Sequence, residues 1–120
     1  MRRVLVIASL AALALAATAH AGGWATVELS STPKGMAAGQ VWDVRLTVLQ
    51  HGVRPLAGIE PTVLIRKGAV ARSFRARPTA TTGVYRARVV FPSAGRWTWK
   101  IDDGFTRVHG YAPVVISAAT

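Results

Sequence analysis

The stretch Gly83–Ile101, GVYRARVVFPSAGRWTWKI, limits what this chain can fold into more than any other. Tyr85, Ala87, Val89 and Phe91 fall on one side of an extended backbone, with Arg86 and Arg88 on the other. Past Pro92, Trp97, Trp99 and Ile101 again share one side, and Arg96, Thr98 and Lys100 face away. A period of two with one apolar and one polar face marks half-buried strands rather than helices. Pro92 presets a turn and Gly95 can take the left-handed conformation that closes it, so the pattern predicts a β-hairpin. Burying Tyr85, Phe91, Trp97 and Trp99 stabilises the fold by about 1.5–3 kcal/mol each.

The same alternation recurs upstream. Trp24–Leu29 reads as a first strand, and Val41–Gln50 as the clearest one, with Trp42, Val44, Leu46 and Val48 on its apolar face. Thr62–Lys67 is a short β-branched strand, Gly68 a tight turn, and Val70–Arg77 an edge strand with Phe74 inward and its arginines in water. Pro113–Ser117 is the last strand, since proline is tolerated where a strand begins. Pro- and Gly-bearing segments separate them: Ser30–Gln40, His51–Pro61, Pro78–Thr82 and Asp102–Ala112. About seven short antiparallel strands and no helical period predict an all-β, immunoglobulin-like sandwich, with a small barrel as the alternative. The expected core is Val27, Trp42, Val44, Leu46, Val48, Tyr85, Val89, Phe91, Trp97 and Trp99, leaving Trp24 exposed.

Ahead of this domain, Arg2 and Arg3 precede an apolar run, Val4–Ala17, interrupted only by Ser9. Two A-x-A sites follow, Ala17–Ala19 and Ala19–Ala21. That is the design of a secretory signal peptide over residues 1–21, with cleavage after Ala19 or Ala21 and a mature domain over 22–120. The apolar run falls short of the roughly 20 residues that span a bilayer, so no retained transmembrane anchor is expected. The expected location is exported: periplasmic, extracellular or associated with the cell envelope. The absence of cysteine removes disulfides and thiolate chemistry from consideration.

Removing Arg2 and Arg3 lowers the formal charge from +10 to +8. A basic exported domain suits an envelope protein or an anionic cell-surface polymer as partner, or its arginines simply keep the polar strand faces wet. Export and the lack of any nucleic-acid motif argue against nucleic acid. No G-x-S-x-G, HExxH, phosphate loop or calcium loop occurs, and the few carboxylates are scattered, so no enzymatic activity and no required cofactor are expected. One constellation stands apart. His51 opens the second long loop, while Asp102, Asp103 and His109 share the last. Immunoglobulin topology brings those loops to one end, where two imidazoles and a carboxylate suit Cu(II) or Zn(II). The competing reading makes the histidines loop residues that hydrogen-bond locally.

GGWATVEL at residues 22–29, VRLTVLQHGVRPLAG at 44–58 and the Gly83–Ile101 segment resemble the YtkA-like/FixH-like group of exported β-sandwich domains. The resemblance covers nearly all of the mature chain. It implies an accessory module of the envelope without established activity. FixH-like proteins are membrane-anchored and associated with copper delivery to a terminal oxidase; this chain departs from them in having no long anchor after its signal. A further likeness to CopC-like copper carriers rests on His20 and the SSTPKG turn at 30–35.

Overall fold

The structure, a computed structural model, describes residues 23–119. The expected signal peptide, with His20 and both cleavage positions, lies outside the described residues. Every alternating segment becomes a strand. In chain order these are β1 (Ala25–Leu29), β2 (Val41–Gln50), β3 (Arg54–Pro55), β4 (Thr62–Lys67), β5 (Val70–Arg75), β6 (Arg77–Pro78), β7 (Val84–Val90), β8 (Gly95–Asp102), β9 (Val108–Gly110) and β10 (Val114–Ile116). One sheet has the order β1-β2-β7-β6, with β3 also paired to β2; the other has β10-β8-β4-β5, with β9 paired to β8. The result is an all-β, two-sheet sandwich. Among the described residues its strands number ten rather than about seven, the additional ones, β3, β6 and β9, being only two or three residues long.

The predicted hairpin does not form. β7 pairs with β2 and β6, whereas β8 pairs with β4, β9 and β10, so Pro92–Ala94 carries the chain from one sheet to the other. Both apolar faces still end up buried, but they meet across the core instead of lying side by side. Phe91 meets Trp97 edge-on with ring centroids 5.6 Å apart, and Trp42 meets Trp99 at 5.4 Å and 85°. Such edge-to-face pairs add to the area that aromatic rings bury. The Val70–Arg77 segment is likewise divided. It pairs with β4 up to Arg75, then crosses at Ala76 to the opposite sheet as β6. Ala76 is buried at the crossing, and its N–H donates to the Pro61 carbonyl at 2.8 Å.

Core membership follows the alternation. All the expected core residues are buried except Val27, which is half-buried against the others, and the core adds Val63, Ile65, Ala87, Ile101, Val114 and Ile116. Trp24 is 46% exposed, as its position at the start of the domain predicts. Each buried indole also holds a loop: Nε1 of Trp42 donates to Ser31 Oγ (2.9 Å), that of Trp97 to the Ser93 carbonyl (2.8 Å) and that of Trp99 to the Ala112 carbonyl (2.9 Å). The Tyr85 hydroxyl does the same for the loop after β3, donating to the Leu56 carbonyl at 2.6 Å. At the free edge β5, Arg72 sits opposite Ile65, on the side that faces the core. Arg72 is exposed, and a charged side chain on an edge strand discourages edge-to-edge pairing with another chain.

Trp97 is fully buried, so Trp97→Ala is expected to destabilise the domain by about 3–5 kcal/mol. Val53→Ala, at a position 76% exposed, should change stability by less than about 0.5 kcal/mol. Equilibrium denaturation of the two variants checks both, and a loss below about 1 kcal/mol for Trp97→Ala contradicts its place in the core.

Candidate functional site

The loop after β8 is built around one carboxylate. Asp103 is the buried acid of the core, at 0% exposure. Its Oδ1 accepts from the backbone N–H groups of Phe105 (2.8 Å), Thr106 (2.8 Å) and Arg107 (3.2 Å). Its Oδ2 lies 2.8 Å from His109 Nε2, on β9. Its own N–H donates to the Arg107 carbonyl, closing the turn. Burial pushes the Asp103 carboxyl up, but the His109 contact and the three amides outweigh it and hold the group below the ordinary carboxylate range. An ionised carboxylate can only accept, so Nε2 carries the proton, and in the neutral ring the lone pair is on Nδ1.

The four residues expected to converge divide into different roles. Asp103 and His109 come together. Asp102 ends β8 and turns its Oδ1 to the Gly104 N–H at 2.9 Å. His51 has a positive φ of 53° and its ring lies against Trp24, centroids 4.9 Å apart, while its N–H donates to the Trp24 carbonyl. The loops themselves do meet, but through backbone: Gly104, at φ +73°, lies so close to Glu60 that a Cβ would stand 2.7 Å from its carbonyl carbon. Only glycine fits there. Trp24 and His109 both line a shallow depression between β1 and β9, which leaves Trp24 touching His51 on one side and bordering His109's depression on the other. Among the described residues, no three His, Cys, Asp or Glu side chains are grouped to hold a metal ion. Trp42, Trp97 and Trp99, buried as they are, supply no aromatic platform for a ligand.

A second feature lies on the outer face of the β1-β2-β7-β6 sheet. Register places Arg77 of β6 opposite Arg86 of β7, and Arg86 opposite Arg45 of β2. Three arginines thus form a row across three strands, with Arg88 opposite Asp43 in the row two residues along. Like charges placed directly opposite oppose folding by roughly 0.2–1 kcal/mol per pair. Compensation is partial. Arg86 makes a two-pronged contact with Asp43, its Nε donating to Oδ1 at 2.8 Å and its second prong reaching Oδ2. That hydrogen bond, with the charges of Arg86, Arg88 and Arg45, holds the Asp43 carboxyl below its ordinary range despite partial desolvation. Arg75 reaches Glu60 at 3.4 Å. Among the described residues, Arg45, Arg77 and Arg88 make no ion pair or side-chain hydrogen bond. The five arginines line one open groove of ≈ 780 Å³, together with Phe74, Pro78, Thr79 and Thr81. No carboxylate lines it.

No family model matches the chain, and no curated protein is similar enough to count as a relative. The structure therefore carries the functional argument alone. The alternation already placed Arg86 and Arg88 in water, but the row needed the register of β2 and β6 to appear. Asp103, a candidate metal ligand of the last loop in the sequence, caps its own turn in the structure. The sequence clue to its real position is Asp-Gly followed by the amides of residues 105–107, the pattern of a side chain that caps its own turn.

Asp103→Ala leaves three amides and His109 without their acceptor, and the expected loss is about 2–4 kcal/mol in denaturant unfolding. Asp103→Asn keeps an acceptor and should lose less. The folded carboxyl titrates below its unfolded value of about 3.9, so its stabilisation is complete above that pH and is lost as pH falls through the folded value. Unfolding measured from pH 7 down to pH 2 should therefore show a shallower acid limb in Asp103→Asn than in the wild type. Identical limbs would mean that the carboxylate is not ionised in the fold.

Proposed function

We propose that this chain is an exported, non-enzymatic accessory module of the cell envelope that works by holding an anionic partner against its arginine-bearing sheet. The observation that carries this reading is the contrast between its charged groups. Among the described residues, the one buried acid of the core is consumed in holding its own loop, whereas Arg45, Arg77 and Arg88 make no ion pair, the nearby Asp43 being tied to Arg86. Asp43 accepts hydrogen bonds from Arg86 and is a single carboxylate beside Arg45, Arg86 and Arg88, so net positive charge on this face is left for another molecule. Export is supported by the charged, apolar and A-x-A order of residues 1–21. Among the described residues, no helix is long and apolar enough to cross a membrane. An immunoglobulin-like topology is supported by the four-strand orders β1-β2-β7-β6 and β10-β8-β4-β5, with consecutive strands β7 and β8 in different sheets.

The expected behaviour is retention on a sulfated polysaccharide matrix, with elution only at raised salt. The triple variant Arg45→Ala/Arg77→Ala/Arg88→Ala should elute at clearly lower salt than Arg66→Ala/Arg96→Ala/Lys100→Ala, which removes the same charge from the other sheet. Equal elution of the two variants removes the arginine face from this account.

Copper binding is the second reading, favoured by one arrangement. A histidine that ligates a metal commonly donates its other ring N–H to a carboxylate, and Asp103 accepts from His109 in this way. Asp103 would then orient His109 rather than ligate, with Nδ1 of His109 and the ring of His51 as candidate donors beside Trp24. Mass spectrometry of the secreted protein first establishes whether it begins at His20 or Gly22. Cu(II) titration of the metal-free protein should then give a dissociation constant below micromolar, weakened at least tenfold in His51→Ala/His109→Ala. Weaker binding, or no effect of the double variant, ends the copper reading.

A further inference from the structure

We infer that the arginine groove is a site for a linear, base-free polyanion of phosphates, recognised through its phosphate oxygens. The inference rests on the accessory-module reading and names its ligand chemistry. Four features of the groove select this occupant.

The cations are all arginine, and they are spaced by the sheet. Arg77, Arg86 and Arg45 stand on adjacent strands, which run about 4.8 Å apart. A carboxylate is planar and is satisfied by a single guanidinium fork, as Asp43 is by Arg86. Along a linear polymer each phosphate keeps two non-bridging oxygens and the next phosphate follows closely, so neighbouring arginines can be met by successive units of one chain. A row of guanidiniums at strand spacing therefore favours phosphates over carboxylates.

The groove is also unsuited to a peptide. An acidic segment gains most by adding a strand to a free sheet edge. On the groove side this sheet ends in β6, two residues long with Pro78 lacking an N–H, while the free edge β5 of the other sheet reaches the lining only through Phe74 and Arg75. Anchoring pockets are lacking too: Phe74 is the sole aromatic in the lining, and it is half-buried against the core. A folded acidic protein would need such anchors.

Single-stranded nucleic acid draws further affinity from a stacking surface for its bases. The exposed Trp24 belongs to the β1–β9 depression and not to this groove. What remains is a polymer whose charge is its only recognisable feature. Finally, the five arginines line one open groove, so a single extended chain can engage several of them together.

Long-chain inorganic polyphosphate is the probe. Binding is measured by fluorescence anisotropy of end-labelled polymer from 50 to 300 mM salt. Charge-matched poly-glutamate and oligodeoxythymidylate serve as competitors. With three to five phosphates neutralised, log K should fall with log salt with a slope of roughly −2 to −3.5. Arg45→Ala/Arg77→Ala/Arg88→Ala should weaken binding at least tenfold at low salt and flatten that slope by about 2. Arg66→Ala/Arg96→Ala/Lys100→Ala should keep affinity within threefold of the wild type. Thermal unfolding of each variant verifies that these exposed substitutions leave the fold intact. Tenfold weaker competition by poly-glutamate and by oligodeoxythymidylate supports the inference. It is overturned if either competes as well as polyphosphate, or if the two triple variants weaken binding equally. Should polyphosphate selectivity fail while retention on the sulfated matrix still depends on Arg45, Arg77 and Arg88, the accessory-module reading stands and only the phosphate assignment falls.

Discussion

The aromatic contact between the two sheets is the interaction on which the rest of the molecule depends. Phe91 and Trp97 are separated by a short turn in sequence, yet they belong to opposite sides of the core and meet edge-on. Trp42 and Trp99 repeat the arrangement further along. Fixing these pairs fixes β7 over β8 and β2 over β8, the central strands of both sheets. The indole N–H groups then extend that order outward, because each must find an acceptor when buried. Their partners are loop atoms at Ser31, Ser93 and Ala112. Core packing thereby sets the position of three connections that have little apolar surface of their own.

The loop that bears His109 is organised by a different force. With no cysteine in the chain, no disulfide can tie it down. Asp103 takes that role by accepting four hydrogen bonds in a dry environment, where charge-assisted bonds to amides are stronger than neutral ones. No buried side-chain polar atom among the described residues is left without a partner. Both oxygens of Asp103 are engaged, Oδ1 by three amides and Oδ2 by His109, so the one carboxylate fixes the imidazole as well as the loop.

Some of this was legible in the order of residues, and the division has a physical basis. β2 and β4 span the very residues, Val41–Gln50 and Thr62–Lys67, that the alternation marked out. Period two reports which side of a strand is buried, and that side is set locally. It carries no information about which strand lies alongside. The Gly83–Ile101 segment shows the difference: its inward residues were correctly placed, while its partners were not, because Pro92–Ala94 spans the core rather than turning back within one sheet. β3, β6 and β9 are too short to show a period at all. Arg45, Arg77 and Arg86 were each identifiable as wet, but their alignment is a property of register between strands distant in sequence. A positional clue did exist at Gly104, next to Asp102-Asp103, where the close approach of Glu60 admits only a residue without a side chain.

The arginine row also separates stability from function in a way the core does not. Directly opposed arginines oppose folding, and removing one partner from such a row is the simplest means of relief. The apolar face beneath them would be unaffected, since Val44, Leu46, Tyr85 and Ala87 alternate with the arginines and point the other way. The strain is therefore small against the burial of that face, and the domain can carry it. Asp43 relieves Arg86, but the same carboxylate cannot also serve Arg45 and Arg88 with two-pronged geometry. Any anion that lies along the row removes the remaining repulsion and gains the attraction at once. Binding there is favoured from both ends: by what the anion gains from the guanidiniums, and by what the unliganded sheet loses through keeping them together.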